Sequence, residues 1–269
     1  MGFAIVRPRV DGPMRIVRLI VMLATLVLAT GCGLLDEAQT TASTGATSET
    51  SSSIPAPPDQ ADALGVTLRR DGDERLTPLS PSATVATGAV IETLPTQGRG
   101  PKTGYRRDLF GEAWDDGATG VLWSDNGCRT RDDILARDLD EVVKRDACVV
   151  TSGDYLDPYT GDQIRFMKAN AEESPVDHVV PISFAWQMGA DRWSPDRRLQ
   201  FANDPLNLVL TTKVANSAKG DSDPASWLPP RKSIRCAYVL RFALVSLKYS
   251  LPVTPADKQI MLAQCSGSG

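Results

Sequence analysis

Four cysteines set the tightest limit on what this chain can fold into: Cys128, Cys148, Cys236 and Cys265 all lie downstream of an export signal. An even number of cysteines in an oxidising compartment implies two disulfides. Three pairings are possible. Proximity in sequence favours Cys128–Cys148 and Cys236–Cys265, each closing a loop worth about 3 kcal/mol by the chain-entropy argument. No C-x-x-C spacing occurs, so metal-binding cysteines are not expected.

The export signal is the segment MRIVRLIVMLATLVLATGC. Arg15 and Arg18 precede an uncharged apolar run from Leu19 to Thr30. A membrane-spanning helix needs roughly 20 such residues, so the run reads as a secretory core. Its LATGC ending resembles a bacterial lipobox, which marks Cys32 for lipidation. The protein is therefore expected to be extracytoplasmic, lipid-anchored at a bacterial cell envelope or secreted, with the membrane as a partner through that anchor. Met14 is an alternative start. Residues 1–32 are assigned to the signal and residues 33–60, rich in Ser, Thr and Pro, to a disordered tether that cannot bury enough apolar surface to order itself. Residues 61–103 are weakly patterned with short β-like runs such as ATVATGAVIETL, and the compact domain is expected over 104–269. A net charge of -4 excludes a chain that is basic throughout, while a local basic face stays possible.

Within that domain, Thr130–Val143 has apolar residues at helical spacing, with Thr130 and Asp133 placed for a capping arrangement. The segment 147–167 reads as strand, turn, strand, with Asp157-Pro158 and Thr160-Gly161 at the turn. Ile234–Leu251 is the longest helical segment, and a last helix covers 254–265. Hairpins and helices without regular alternation indicate an α+β fold.

His178 is the only histidine. Alone it would pass for a structural residue, but it sits in PVDHVVPISFAWQ, directly after Asp177. An apolar run carrying Asn207 follows, and then Asn216 in what looks like the first turn of a helix. Strand, strand, helix with these residues in this order resembles the HNH (His-Me finger, ββα-metal) endonucleases. More closely, NGCRTRDDILARDL, DHVVPISFAWQMGA, FANDPLNL and DPASWLPP are similar to a family of secreted bacterial HNH-domain proteins, over roughly Tyr105 to Cys265.

The resemblance implies a small ββα-metal core embedded in a disulfide-bonded domain with additional helices and a hairpin. It also implies metal-dependent hydrolysis of phosphodiester bonds in nucleic acid, with DNA favoured over RNA as the substrate. His178 would activate water, since imidazole suits a general base near neutrality. Asp177 and Asn216 would hold one divalent ion, and Asn207 would hold the loop between the strands and orient His178. Many family members end the motif in histidine where Asn216 stands here. Oxygen ligands favour Mg²⁺ or Mn²⁺, with Ca²⁺ or Zn²⁺ still compatible. Adjacent strand residues point to opposite faces, so Asp177 and His178 share a site only if the strand bends or bulges.

From Val176 to Ser250 ten basic residues stand against six acidic ones, a local surplus suited to phosphate. Lys219, one turn beyond Asn216, is the favoured phosphate contact. For Arg106 and Arg107 a surface ion pair is favoured over substrate contact, and Trp186, Trp193 and Trp227 are assigned to the core. No protein partner is implied. The competing reading is a non-catalytic cell-envelope binding lipoprotein that keeps the HNH fold. A serine hydrolase using His178 is disfavoured because no serine lies in a nucleophile context.

Overall fold

The computed structural model describes residue 72 and residues 74–266. The expected export segment, Cys32 and the tether lie outside the described residues. Seven α-helices occur among the described residues: α1 (Pro81–Glu92), α2 (Thr130–Asp138), α3 (Ile182–Gln187), α4 (Pro195–Asn203), α5 (Lys213–Lys219), α6 (Arg235–Lys248) and α7 (Pro255–Cys265). The strands are β1 (Asp140–Lys144), β2 (Val150–Leu156), β3 (Gln163–Met167), β4 (Val176–His178) and β5 (Leu208–Leu210). They form two antiparallel sheets, β1-β2-β3 and β4-β5, so the fold is α+β.

Helix α6 is the spine. Ala237 to Ala243 are all buried, as expected of a helix enclosed on every side. Helix α7 starts with a capping box in which Thr254 and Asp257 bond each other's backbone N–H. The Cys236–Cys265 disulfide ties the start of α6 to the end of α7, and Cys128–Cys148 ties the entry of α2 to the strand β2 that follows. Both pairings are those that proximity favoured.

Four expectations are corrected. The segment read as β-like is helix α1: Ser80 caps it through its hydroxyl, Pro81 occupies its first turn, and Val90, Ile91 and Leu94 are buried. The core therefore does not begin near Gly104, because α1 packs against α6 and α7. Helix α2 stops at Asp138 instead of Val143. There the buried Arg137 guanidinium bonds Asp138, at 2.7 and 2.9 Å, and the carbonyls of Gly72, Pro205 and Leu208. Leu139 then turns extended, and Val142 and Val143 enter β1. The expected Thr130–Asp133 cap is also absent: Thr130 donates to the Asp115 carbonyl, and Asp133 accepts from Asn126.

The β4–β5 hairpin lies between two apolar clusters. Val176, Leu208 and Leu210 face the cluster built on α2 and β2, while Val209 faces the α6 cluster. The β2–β3 turn is pinned to the end of β5, since the buried Asp157 carboxylate accepts from the Thr211 hydroxyl and the Thr212 N–H.

Candidate active site

Strands β4 and β5 pair as Val176↔Leu210, Asp177↔Val209 and His178↔Leu208, and α5 follows two residues after β5. Asp177 and His178 thus sit on the first strand, Asn207 at the entry to the second, and Asn216 in the helix. Asn207 is fully buried. Its amide oxygen accepts from the Val180 N–H at 2.8 Å, and its amide nitrogen donates to the Val180 carbonyl at 3.2 Å. That pair of hydrogen bonds to one residue holds the chain just after His178. Thr212 caps α5 through its hydroxyl, which fixes where the helix starts.

His178 is buried, only 7% exposed, and it lines a cleft. Its Nε2 lies 2.8 Å from the carbonyl of Ala202. A carbonyl can only accept, so Nε2 carries the proton and Nδ1 keeps a free lone pair. The Trp114 ring stacks on the imidazole nearly parallel, at 13° and 6.2 Å between centroids. Trp114 has a φ of 64°, a left-handed conformation that is costly for a bulky side chain and that tends to persist at functional sites. Burial, helped by the nearby Arg107 and Lys219 charges, lowers the His178 pKa to about 3, against the stabilising bond to Ala202. The ring is therefore neutral at pH 7.

With a lowered folded pKa, the unfolded chain takes up a proton as pH falls below about 6.5 while the folded chain does not. Stability is then lost progressively between that pH and about 3. Because the chain has one histidine, its ring resonances are unambiguous in an NMR titration. They are expected to stay at neutral-ring positions from pH 8 down to 4.5, and a midpoint near 6.5 would contradict this burial.

Asp177 faces the other way. The β4–β5 register is continuous, with none of the bend or bulge that would bring Asp177 and His178 to one site. The Asp177 carboxylate is buried. It accepts from the Tyr159 hydroxyl at 2.8 Å and from the Lys219 ammonium at 2.9 and 3.1 Å. Lys219, whose side chain is 0% exposed, also donates to the His178 carbonyl at 2.8 Å. The expected metal ligand and the expected phosphate contact are thus bound to each other. The physical reason is desolvation: a carboxylate this deep needs a cation and hydrogen bonds to remain charged. Burial pushes the Asp177 pKa up, and Lys219 and Tyr159 oppose that.

Asn216 lies one turn before Lys219 on the same face of α5, half-buried, and its side-chain amide has no hydrogen-bond partner among the described residues. Among the described residues no group of three His, Cys, Asp or Glu side chains could hold a metal ion. The donor oxygens are of the hard type that Mg²⁺ takes, but the one carboxylate is already neutralised by Lys219. As arranged, the residues do not fit a resident divalent ion.

The local surplus of positive charge is mostly spent inside the fold. Lys219 and Arg241 are buried, Lys248 pairs with Asp204, and Arg197 and Arg198 donate to backbone carbonyls. Trp186, Trp193 and Trp227 pack against the core as expected. The cleft over His178 has a volume of about 250 Å³, and its lining includes Arg107, Glu112, Trp114, Ile182 and Asn203. Sequence reasoning missed Trp114, the Ala202 carbonyl and Tyr159. No local signal marks them, because each meets the site through a long-range contact.

The chain matches the family model described as "GmrSD restriction endonucleases, C-terminal domain" over residues 129–264. That stretch includes β4, β5, α5 and Asp177, His178, Asn207 and Asn216. A protein of the fungus Arthroderma benhamiae, described as an "Uncharacterized secreted protein", is 37% identical over 186 residues, covering 68% of this chain and 85% of that protein. No solved structure matches the chain. With just over half its length in the matched region, and the strand–strand–helix inside it, the chain belongs to the family of GmrSD restriction endonuclease C-terminal domains.

Proposed function

We propose that this protein is an exported endonuclease of the HNH type that hydrolyses phosphodiester bonds of nucleic acid, DNA foremost, with His178 as general base. The observation that carries the reading is the imidazole itself, at a cleft, with its tautomer set by the Ala202 carbonyl so that Nδ1 is free. In the reaction Nδ1 takes a proton from water as the water oxygen bonds to phosphorus. The bond from phosphorus to the leaving sugar oxygen breaks, and that oxygen is protonated by solvent. A depressed pKa keeps the base unprotonated but makes it weak. A phosphate anion arriving beside the ring raises that pKa toward the range where proton transfer is efficient. Asn207 positions the base by holding Val180. The family's name supports a nucleic-acid substrate, and the secreted relative, the export signal and the two disulfides support extracellular action.

The test is to incubate the exported protein, disulfides formed, with single- and double-stranded DNA and RNA, in Mg²⁺, in Mn²⁺ and in EDTA. Cleavage of internal bonds is expected. Cleavage that persists in EDTA would fit the Asp177–Lys219 pairing described above. Cleavage that needs a metal would mean that Lys219 yields Asp177 to the ion, with Asn216 as the second oxygen donor. A folded protein that binds nucleic acid but cuts none would leave the non-catalytic binding reading.

A further inference from the structure

The family match begins at residue 129, yet one wall of the cleft over His178 comes from further upstream. A single 3₁₀ turn, Arg107–Phe110, leads into Glu112, Ala113 and Trp114. Phe110 anchors the turn. It is buried with its ring 6.2 Å from Phe201 of α4 and 6.5 Å from Trp186 of α3. Gly111, with φ 85°, then reverses the chain so that Trp114 reaches the imidazole. That positive φ is what favours glycine, since an added Cβ would crowd only the terminal methyl of Leu199, which can shift.

Resting on the nuclease reading above, we infer that Arg107 is the cation that binds the substrate phosphate in the His178 cleft. The two arginines of this turn differ. Arg106 pairs with Asp108 at 3.2 Å, whereas the exposed Arg107 guanidinium has no ion pair or hydrogen bond among the described residues. Arg107 is also the only cation lining that cleft among the described residues. Its charge is felt at the imidazole, where it ranks next after burial in lowering the pKa. The role expected of Lys219 is closed to it, because Lys219 is buried against Asp177.

The chemistry suits the position. A guanidinium offers paired N–H donors that match two phosphate oxygens, and it keeps its charge at any pH the protein meets. A cation facing the base across the scissile phosphate also stabilises the charge that grows on the phosphoryl oxygens as water attacks. Glu112 stands on the same rim with the opposite sign, so its removal is expected to act in the opposite direction.

The experiment is equilibrium binding of a fluorescent DNA duplex to the full exported chain, followed by anisotropy over a salt series. A His178→Ala background prevents cleavage, and Arg107→Gln or Glu112→Gln is added to it. Arg107→Gln is expected to weaken binding about 10-fold irrespective of sequence, the loss of one charge-assisted contact. The slope of log affinity against log salt should become shallower by about 0.9, the signature of one phosphate contact. Glu112→Gln is expected to tighten binding. Unchanged affinity and slope in Arg107→Gln, on a background that binds DNA, would overturn the inference alone. No DNA binding by the His178→Ala protein would overturn the inference together with the nuclease reading on which it rests.

Discussion

Replacing Lys219 with methionine is expected to lower the unfolding free energy by about 3–5 kcal/mol, the cost of stripping one partner from a buried ion pair. The ammonium of Lys219 meets both oxygens of Asp177 and the carbonyl of His178, with no exposed side-chain surface. Methionine fills much of the volume but leaves the carboxylate with Tyr159 as its one remaining side-chain donor. The Asp177 pKa, already pushed up by burial, would rise further. A carboxyl whose folded pKa is raised contributes less as pH climbs, because the unfolded chain ionises first. The variant should thus lie closest to the parent near pH 4 and fall away toward pH 7. Adding Asp177→Asn removes the stranded charge, so the double variant is expected to recover much of the loss, since removing both partners together is often nearly neutral. Urea unfolding at pH 4 and 7 measures all three. A Lys219→Met protein as stable as the parent at pH 7 would contradict a closed, charged pair.

Much of this arrangement was legible in the residues, and what was not has identifiable causes. Helices α6 and α7, the β2–β3 hairpin and both disulfides follow from local pattern: apolar spacing, Asp157-Pro158 and Thr160-Gly161 at the turn, cysteines close in sequence. The strand–strand–helix order of Asp177-His178, Asn207 and Asn216 was legible too, because short apolar runs bounded by polar residues fix it. Helix α1 was not. Its Val and Thr residues favour strands, and only packing on α6 and α7 decides for the helix. The end of α2 was hidden because Arg137 reaches carbonyls of Pro205 and Leu208, far along the chain.

The candidate site divided in the same way. Strand alternation already placed Asp177 and His178 on opposite faces, and the continuous β4–β5 register leaves them there. Which face Lys219 would seek could not be told from helical spacing, because a lysine on a short helix reads as solvent-facing until a buried carboxylate appears opposite it. Trp114 reaches His178 from 64 positions away (178 − 114) through a left-handed backbone that no residue type in GEAWDD announces.

His178→Ala is expected to reduce phosphodiester cleavage by about 10²- to 10⁴-fold, the usual contribution of a positioned general base. The fold should tolerate the change. The ring's one hydrogen bond is to the Ala202 carbonyl, beside a cleft from which water can replace it, and its main packing partner is Trp114. A loss of activity with an unchanged urea midpoint would therefore report chemistry and not unfolding. The most direct measurement is the single-turnover nicking rate of supercoiled plasmid by wild-type and His178→Ala protein, each shown to be folded. The account predicts nicked and linear products from the wild type and at least a 100-fold slower rate from the variant. Equal rates from the two proteins, or no cleavage by a folded wild type, would contradict it.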